Sequence, residues 1–231
     1  MKELMTYISE DLGIKVNNPQ LIEQAFHHTS YVNEHGGSHL ASNERLEFLG
    51  DAVLELAVSN FLYTTYPKEG EGVLTRMRAQ LVREPSLAYV SRQLKFDHFL
   101  RLGKGEQATG GSQRDSILSD CFEAFLAAIY LDQGSDQAEA FLSRVLFDHH
   151  QEILRLTNQD YKTQFQEWVQ AKGSVKIEYR LLDQTGPAHD RCFTSGLFLN
   201  GQQIAQGSGK SKKQAEMHAA KQALDQKNKG E

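Results

Sequence analysis

The sequence predicts an all-α domain followed by a small α+β domain with element order α-β-β-β-α, and three observations predict it. Amphipathic helical segments dominate to about residue 155. Beyond TNQD the apolar period changes from helical spacing to strict alternation. The dipeptide Asn200-Gly201 then separates two alternating runs, the strongest short hairpin signal a sequence carries. These place a helical domain at 1–154, a short polar linker at 155–159 and the α+β domain at 160–228.

Two segments of the helical half carry acids where burial would be expected. NERLEFLGDAVL, residues 43–54, puts Glu44, Glu47 and Asp51 at i, i+3 and i+7 on one helical face. Like charges at that spacing repel by roughly 0.2 to 0.5 kcal/mol per pair. A solvated acidic face and a cation site both account for such a stripe. DSILSDCFEAFLAAIYLD, residues 115–132, shifts the balance, because it sets Asp120 and Glu123 one turn apart among Ile117, Leu118, Phe122, Phe125, Leu126 and Ile129. Carboxylates inside core-forming helices either take up protons or find positive charge. Four oxygen donors without Cys or His suit Mg²⁺, or Mn²⁺ as a substitute. Between the two segments, GKGEQATGGSQRD at 103–115 is a polar Gly-rich loop with no preceding strand, which excludes a P-loop.

In the second half a helix is expected over 162–171, with Phe165, Trp168 and Val169 inward. VKIEYRLL alternates Val175, Ile177, Tyr179 and Leu181 as a strand, and RCFTSGLFL and QQIAQG form the hairpin. In GSGKSKKQAEMHAAKQAL, Ser211 and Gln214 fit a capping box, which puts Lys212 and Lys213 in the first turn. Cations there oppose the helix dipole. A phosphate backbone against the helix N-terminus gives them a purpose; two solvated lysines are the alternative. Ala215, Ala219, Ala220 and Ala223 read as close packing on the sheet.

Charge is divided along the chain. Residues 1–159 hold 14 Lys and Arg against 22 Asp and Glu, a balance of −8, whereas residues 160–231 hold 11 against 8, a balance of +3. That division fits a cation-binding domain joined to a polyanion-binding one. No run of about 18 apolar residues exists, which excludes a membrane span. The acids in MKELMTYISE argue against a signal peptide, so a cytoplasmic protein is expected. Cys121 and Cys192 have no metal-type spacing and read as reduced small core residues.

Taken together, NERLEFLGDAVL, EGEGVLTRMRAQLV, SDCFEA and the whole C-terminal region resemble bacterial ribonuclease III, over essentially the full chain. The resemblance implies a metal-dependent endoribonuclease acting on double-stranded RNA. Its products would carry 5′ phosphates and 3′ hydroxyls with short 3′ overhangs, in the processing of ribosomal RNA precursors, messenger and transfer RNA. It implies that Glu47, Asp51, Asp120 and Glu123 hold magnesium, with Asp51 and Glu123 most directly tied to the chemistry. Glu44 and Glu71 fall where the family has further acids near the scissile strand; an exposed loop glutamate accounts for Glu71 equally well. Phe48 is similar to the aromatic residue that plugs into the partner subunit of a homodimer, or else is an ordinary core phenylalanine.

The C-terminal region resembles the double-stranded RNA-binding domain, which reads A-form shape over about 16 base pairs. That likeness implies one minor-groove contact through Thr163, Gln166, Glu167 and Gln170, a second through His189, and phosphate contacts through Lys210, Lys212 and Lys213. Arg76 and Arg78 suit either phosphate or internal salt bridges. His27 and His28 read as caps or packing, since no acid or cysteine nearby completes a metal site. Two rivals remain: a non-catalytic RNA-binding regulator, which loss of any of the four acids would favour, and a di-metal carboxylate oxidoreductase, which would need Glu-x-x-His pairs that neither acidic segment contains.

Overall fold

The computed structural model describes residues 2–157, 161–170, 175–186 and 191–228, and the chain forms two compact units, Met1–Thr157 and Asn158–Glu231. The first is helical throughout. Its helices are α1 (Lys2–Thr6, extended by a wider turn to Asp11), α2 (Pro19–Ala25), α3 (Thr29–Glu34), α4 (Glu44–Thr65), α5 (Glu71–Leu81), α6 (Glu84–Gln93), α7 (Lys104–Ala108), α8 (Asp115–Gln133), α9 (Ser135–Leu142) and α10 (His150–Thr157). Residues 155–157, expected in the linker, form the last turn of α10.

Helix α8 is the centre of this unit. Every residue from Ala124 to Ile129 is buried, as are Ile117, Leu118, Cys121 and Phe122, and a helix apolar on all sides must be surrounded. Helices α2, α4, α6 and α9 surround it, and Phe26, Phe96, Phe125 and Phe141 pack edge to face around its axis. Helix α4 meets it with a row spaced every four residues: Leu46, Gly50, Leu54, Val58 and Leu62. Such an i±4n row is the ridge that globular helix packing commonly uses.

Gly50 sets how close the two helices come. A Cβ built there would stand 1.9 Å from the backbone oxygen of Glu123. A helix-interior glycine is unfavourable by about 1 kcal/mol relative to alanine; here it permits backbone-to-backbone contact between α4 and α8. At the far end of α4, Phe61 stacks on Phe147 at 4.3 Å. The Tyr66 hydroxyl lies 2.5 Å from Nε2 of His150, whose Nδ1 meets the Phe147 carbonyl at 2.6 Å.

The second unit has α11 (Tyr161–Gln170), β1 (Ile177–Thr185), β2 (Cys192–Leu199), β3 (Gln202–Gly209) and α12 (Lys212–Asn228). The sheet is antiparallel in the order β1-β2-β3, as alternation and the Asn200-Gly201 turn predict. Both turn residues have positive φ, 49° and 85°, the geometry whose twist matches the strands it joins. The alternation in β1 ends earlier than its sequence suggests. The pairing shifts between Leu181 and Asp183, and Leu181 and Leu182 are exposed, because a bulge turns both away from the core. Phe165 and Val169 of α11, Leu197, Ala205 and the alanines at 219, 220 and 223 form a separate small core. Ala215 is also fully buried. A Cβ at Gly207 would stand 2.2 Å from the Ala219 nitrogen, so small residues on both elements let α12 lie on β3.

Candidate functional site

The Gly50 crossing decides where the acids fall. Glu47 and Asp51 flank Gly50 on α4, while Asp120 and Glu123 share one face of α8 against it. Glu47, Asp120 and Glu123 are half-buried and Asp51 is exposed, so the acids lie at the solvent-reaching edge of the core rather than sealed inside it. Burial and mutual repulsion hold protons on it. Glu123 is pushed up to about 8 by burial, then by the charges of Asp51, Asp120, Glu47 and Glu55. Glu47 rises to about 7 through burial, then Asp120, Glu44 and Asp51. Asp120 rises to about 6 through burial, then Glu84.

This electrostatic conflict tests the fit to a metal. Hard oxygen donors whose ionisation is suppressed by one another are stabilised by a divalent cation. Among the described residues, however, no three Asp, Glu, His or Cys side chains converge into a ready cage. By chemistry and charge the donor set suits a hard divalent cation.

The other acids take different positions. Glu44 is exposed at the start of α4, with its Oε2 3.1 Å from the Ser42 hydroxyl. Glu71 opens α5, accepts from the Thr75 hydroxyl at 2.9 Å, and lies beside Ser59, Leu62 and Tyr63. Eight residues of helix separate Ser59 from Asp51, the nearer of the cluster's two acids on α4, and twelve separate it from Glu47, about 12 Å and 18 Å at 1.5 Å per residue. One chain thus does not bring Glu71 to the four-acid cluster. Arg78 bridges α5 to α4 through Glu55 at 2.9 Å and Ser59 at 3.0 Å, an internal salt bridge; Arg76 is exposed. Phe48 is 82% exposed, which removes its core-residue alternative, and Leu56 and Tyr63 on the same helix are exposed by 73% and 74%. His28 caps α3.

In the second unit, Thr163, Gln166 and Gln170 are exposed along α11. The side chain of Glu167 and the whole of His189 lie outside the described residues. Lys210, Lys212 and Lys213 are exposed at the start of α12. The cap there differs in one detail from the expected box. The Ser211 hydroxyl accepts the N–H of Gln214 at 3.2 Å, as predicted, but Gln214 Oε1 accepts from the N–H of Lys210 at 2.8 Å, one residue upstream of the cap.

Sequence reasoning missed Gly50, the charges of Glu55 and Glu84 on the cluster, and the Glu106–Arg114 pair at 2.5 Å. Only the first left a signal, a glycine in a strongly helical stretch.

A helical acid-bearing module followed by a module that presents lysines at a helix N-terminus defines a nuclease with its own nucleic-acid-binding domain, and comparison with known proteins agrees. Residues 18–150 match the Ribonuclease-III-like family and residues 161–227 the double-stranded RNA binding motif. Ribonuclease 3 of Enterococcus faecalis is 52% identical over 222 residues, 96% of each chain. That of Streptococcus mutans is 48% identical over 232 residues and the full length of both. The nuclease domain of ribonuclease III from Campylobacter jejuni, 34% identical, superposes with a TM-score of 0.58 over 62% of this chain and 96% of that one. The chain belongs to the ribonuclease III family, and is an endoribonuclease directed at double-stranded RNA.

Proposed function

We propose that cleavage depends on Mg²⁺, with Mn²⁺ as a substitute, held by Glu47, Asp51, Asp120 and Glu123. The observation that carries this is the burial of carboxylates on both sides of the Gly50 crossing, reinforced by neighbouring negative charge, which raises Glu123 to about 8, Glu47 to about 7 and Asp120 to about 6. A cation held there supplies Lewis acidity and offsets charge developing on the phosphate during hydrolysis. Asp51 and Glu123, on opposite helices, orient the attacking water and the scissile phosphate. Glu44 lies one turn before Glu47 and extends the acidic face toward the strand.

The distance of Glu71 from the cluster, and the exposed Phe48, Leu56 and Tyr63, support a homodimer assembled along α4. Phe48 borders a cavity of about 600 Å³ lined by Leu21, Leu46, Leu49 and Leu131, a shape suited to receiving an aromatic side chain from a second copy. A dimer also places two clusters against a duplex, one for each strand. Thr163, Gln166, Glu167 and Gln170 would face one minor groove and His189 the next, with Lys210, Lys212 and Lys213 on the phosphates between. Products with 5′ phosphates, 3′ hydroxyls and short 3′ overhangs, and a cytoplasmic role in processing ribosomal RNA precursors and structured transcripts, complete the proposal. Among the described residues no helix is long and apolar enough to cross a membrane.

The test is incubation of the protein with a long end-labelled RNA duplex in Mg²⁺, in Ca²⁺ and with chelator. Cutting only in Mg²⁺, with binding in Ca²⁺, is expected. Cutting in chelator would refute the metal requirement.

A further inference from the structure

Every residue of α8 from Ala124 to Ile129 is buried, and apolar burial is non-directional. It therefore does little to fix the rotation of such a helix about its own axis. Rotation nevertheless decides the site, because Asp120 and Glu123 stand on α8. A helix with its side chains has a radius of about 5–6 Å, so a turn of about 10° moves a carboxylate by about 1 Å. Misplacement by about 1 Å can cost about 10²-fold in rate.

Helix α6 supplies a directional contact at this place. Ser91 is fully buried, and its hydroxyl donates to the Leu118 carbonyl at 2.8 Å, two residues before Asp120. That carbonyl lies inside α8, where the N–H four residues on, that of Phe122, is its regular partner. A carbonyl oxygen has two lone pairs, and Ser91 takes the second. Neither helix needs the bond to satisfy its backbone. A buried hydroxyl is costly unless bonded, and an alanine on α6 would avoid the cost altogether. What the serine adds is direction, as single buried polar groups do where they set the register of packed helices. Further ties hold the two ends of α8. Arg92 Nη2 donates to the Gln113 carbonyl at 2.7 Å and meets Asp115 at 2.5 Å, while Asp132 accepts the N–H of Asn17 at 2.9 Å.

We propose that Ser91 is a positioning residue for the acid cluster: by holding the Leu118 carbonyl it fixes the rotation of α8, and so the direction in which Asp120 and Glu123 face Glu47 and Asp51. This rests on the reading of those four acids as the metal site.

Ser91→Ala removes the bond and leaves no buried group unpaired, since Phe122 still donates to Leu118. The full-length variant is expected to lose no more than about 4 °C in Tm, the effect of one hydrogen bond in a domain of this size, and to keep the parent's duplex affinity in Ca²⁺. Its affinity for Mn²⁺ without RNA, measured by calorimetric titration, should weaken about tenfold, as when other groups that orient metal ligands are lost. The Mg²⁺ concentration giving half-maximal single-turnover cleavage should rise by the same factor. Ser91→Cys, close in size and with a weaker donor, should keep more Mn²⁺ affinity than Ser91→Ala. Ile153→Val is the control: it lies buried on α10, which packs on α5 and α6, costs a similar loss of Tm, and should leave both metal readouts unchanged. Parent-like Mn²⁺ affinity in Ser91→Ala would overturn the positioning role. So would equal losses in Ser91→Ala and Ser91→Cys, or a loss in Ile153→Val as large as that in Ser91→Ala. Should the parent cut equally well in chelator, the four acids are not a metal site and Ser91 loses its target with them.

Discussion

Replacing Glu123 with glutamine should make the metal-free protein more stable, by an amount that grows as pH rises from about 5 to about 8. The native Glu123 carboxyl is raised from 4.5 to about 8 by burial and by four neighbouring carboxylates. In the unfolded chain it ionises freely. The native state therefore binds more protons than the unfolded state, and stability is lost as pH rises from about 4.5 to about 8. Integrating over that window gives an upper bound of about 4 kcal/mol at pH 8. The four acids share the repulsion and partly relieve it together, so about 2 kcal/mol is assigned to this site. Glutamine has nearly the same shape and no charge. At 2–4 °C per kcal/mol for a domain of this size, the variant should melt about 4–8 °C above the parent in chelator at pH 8, and within about 2 °C of it at pH 5.

Calorimetry and helical circular dichroism would follow the first unit. The single tryptophan, Trp168, lies in the second, so its fluorescence supplies an internal control that should not shift. A gain of equal size at pH 5 and pH 8 would mean packing rather than charge, and no gain at pH 8 would mean that neither burial nor the neighbouring acids penalise the ionised carboxylate. Either result refutes the electrostatic account. The same variant should lose cleavage in Mg²⁺ while still binding duplex in Ca²⁺.

Three further outcomes follow from the same geometry. Divalent-ion affinity, measured by calorimetric titration, should rise from pH 6 to pH 8 as Asp120, Glu47 and Glu123 give up protons that compete with the ion; affinity independent of pH would contradict their assignment as ligands. Gly50→Ala should lower Tm by an amount corresponding to about 1–3 kcal/mol of overpacking, and should reduce cleavage beyond what unfolding explains, because the added methyl forces α4 from α8. Lys212→Ala combined with Lys213→Ala should flatten the log–log salt dependence of duplex binding by nearly 2, about 0.9 for each phosphate contact; an unchanged slope would remove both lysines from the interface.

The four acids were legible because charged residues at helical spacing inside apolar segments conflict with burial, and that conflict is written in the residue types themselves. The hairpin was legible for a similar local reason, since Asn200-Gly201 adopts the positive φ pair its turn requires. Phe48 was ambiguous because a helical period identifies a buried face without saying whose core buries it, and only its 82% exposure separates the alternatives. Glu71 looked like a companion of Glu44, yet α4 holds the two apart by most of its length, a distance no spacing in the sequence reveals. The bulge at Leu182 was hidden because one unpaired residue breaks the alternation only at its end. The influence of Glu84 on Asp120 arises where α6 meets α8, a tertiary contact without a local mark.

The Asn200-Gly201 turn also bears on how the protein ages. An asparagine before glycine is chemically labile, because the unshielded glycine nitrogen attacks the side-chain carbonyl carbon, expels ammonia and closes a succinimide, which water reopens to aspartate or isoaspartate. In the fold, the Asn200 side-chain oxygen accepts the N–H of Lys176 at 3.0 Å, and its own N–H donates to the Lys176 carbonyl at 2.9 Å. Those bonds hold the amide away from the ring-closing geometry. Deamidation at Asn200 should then run through molecules whose second unit has opened, and an isoaspartate there would insert an extra main-chain carbon between Leu199 and its partner Gln202. The fraction deamidated in a stored sample becomes a cumulative record of how often that sheet has come undone.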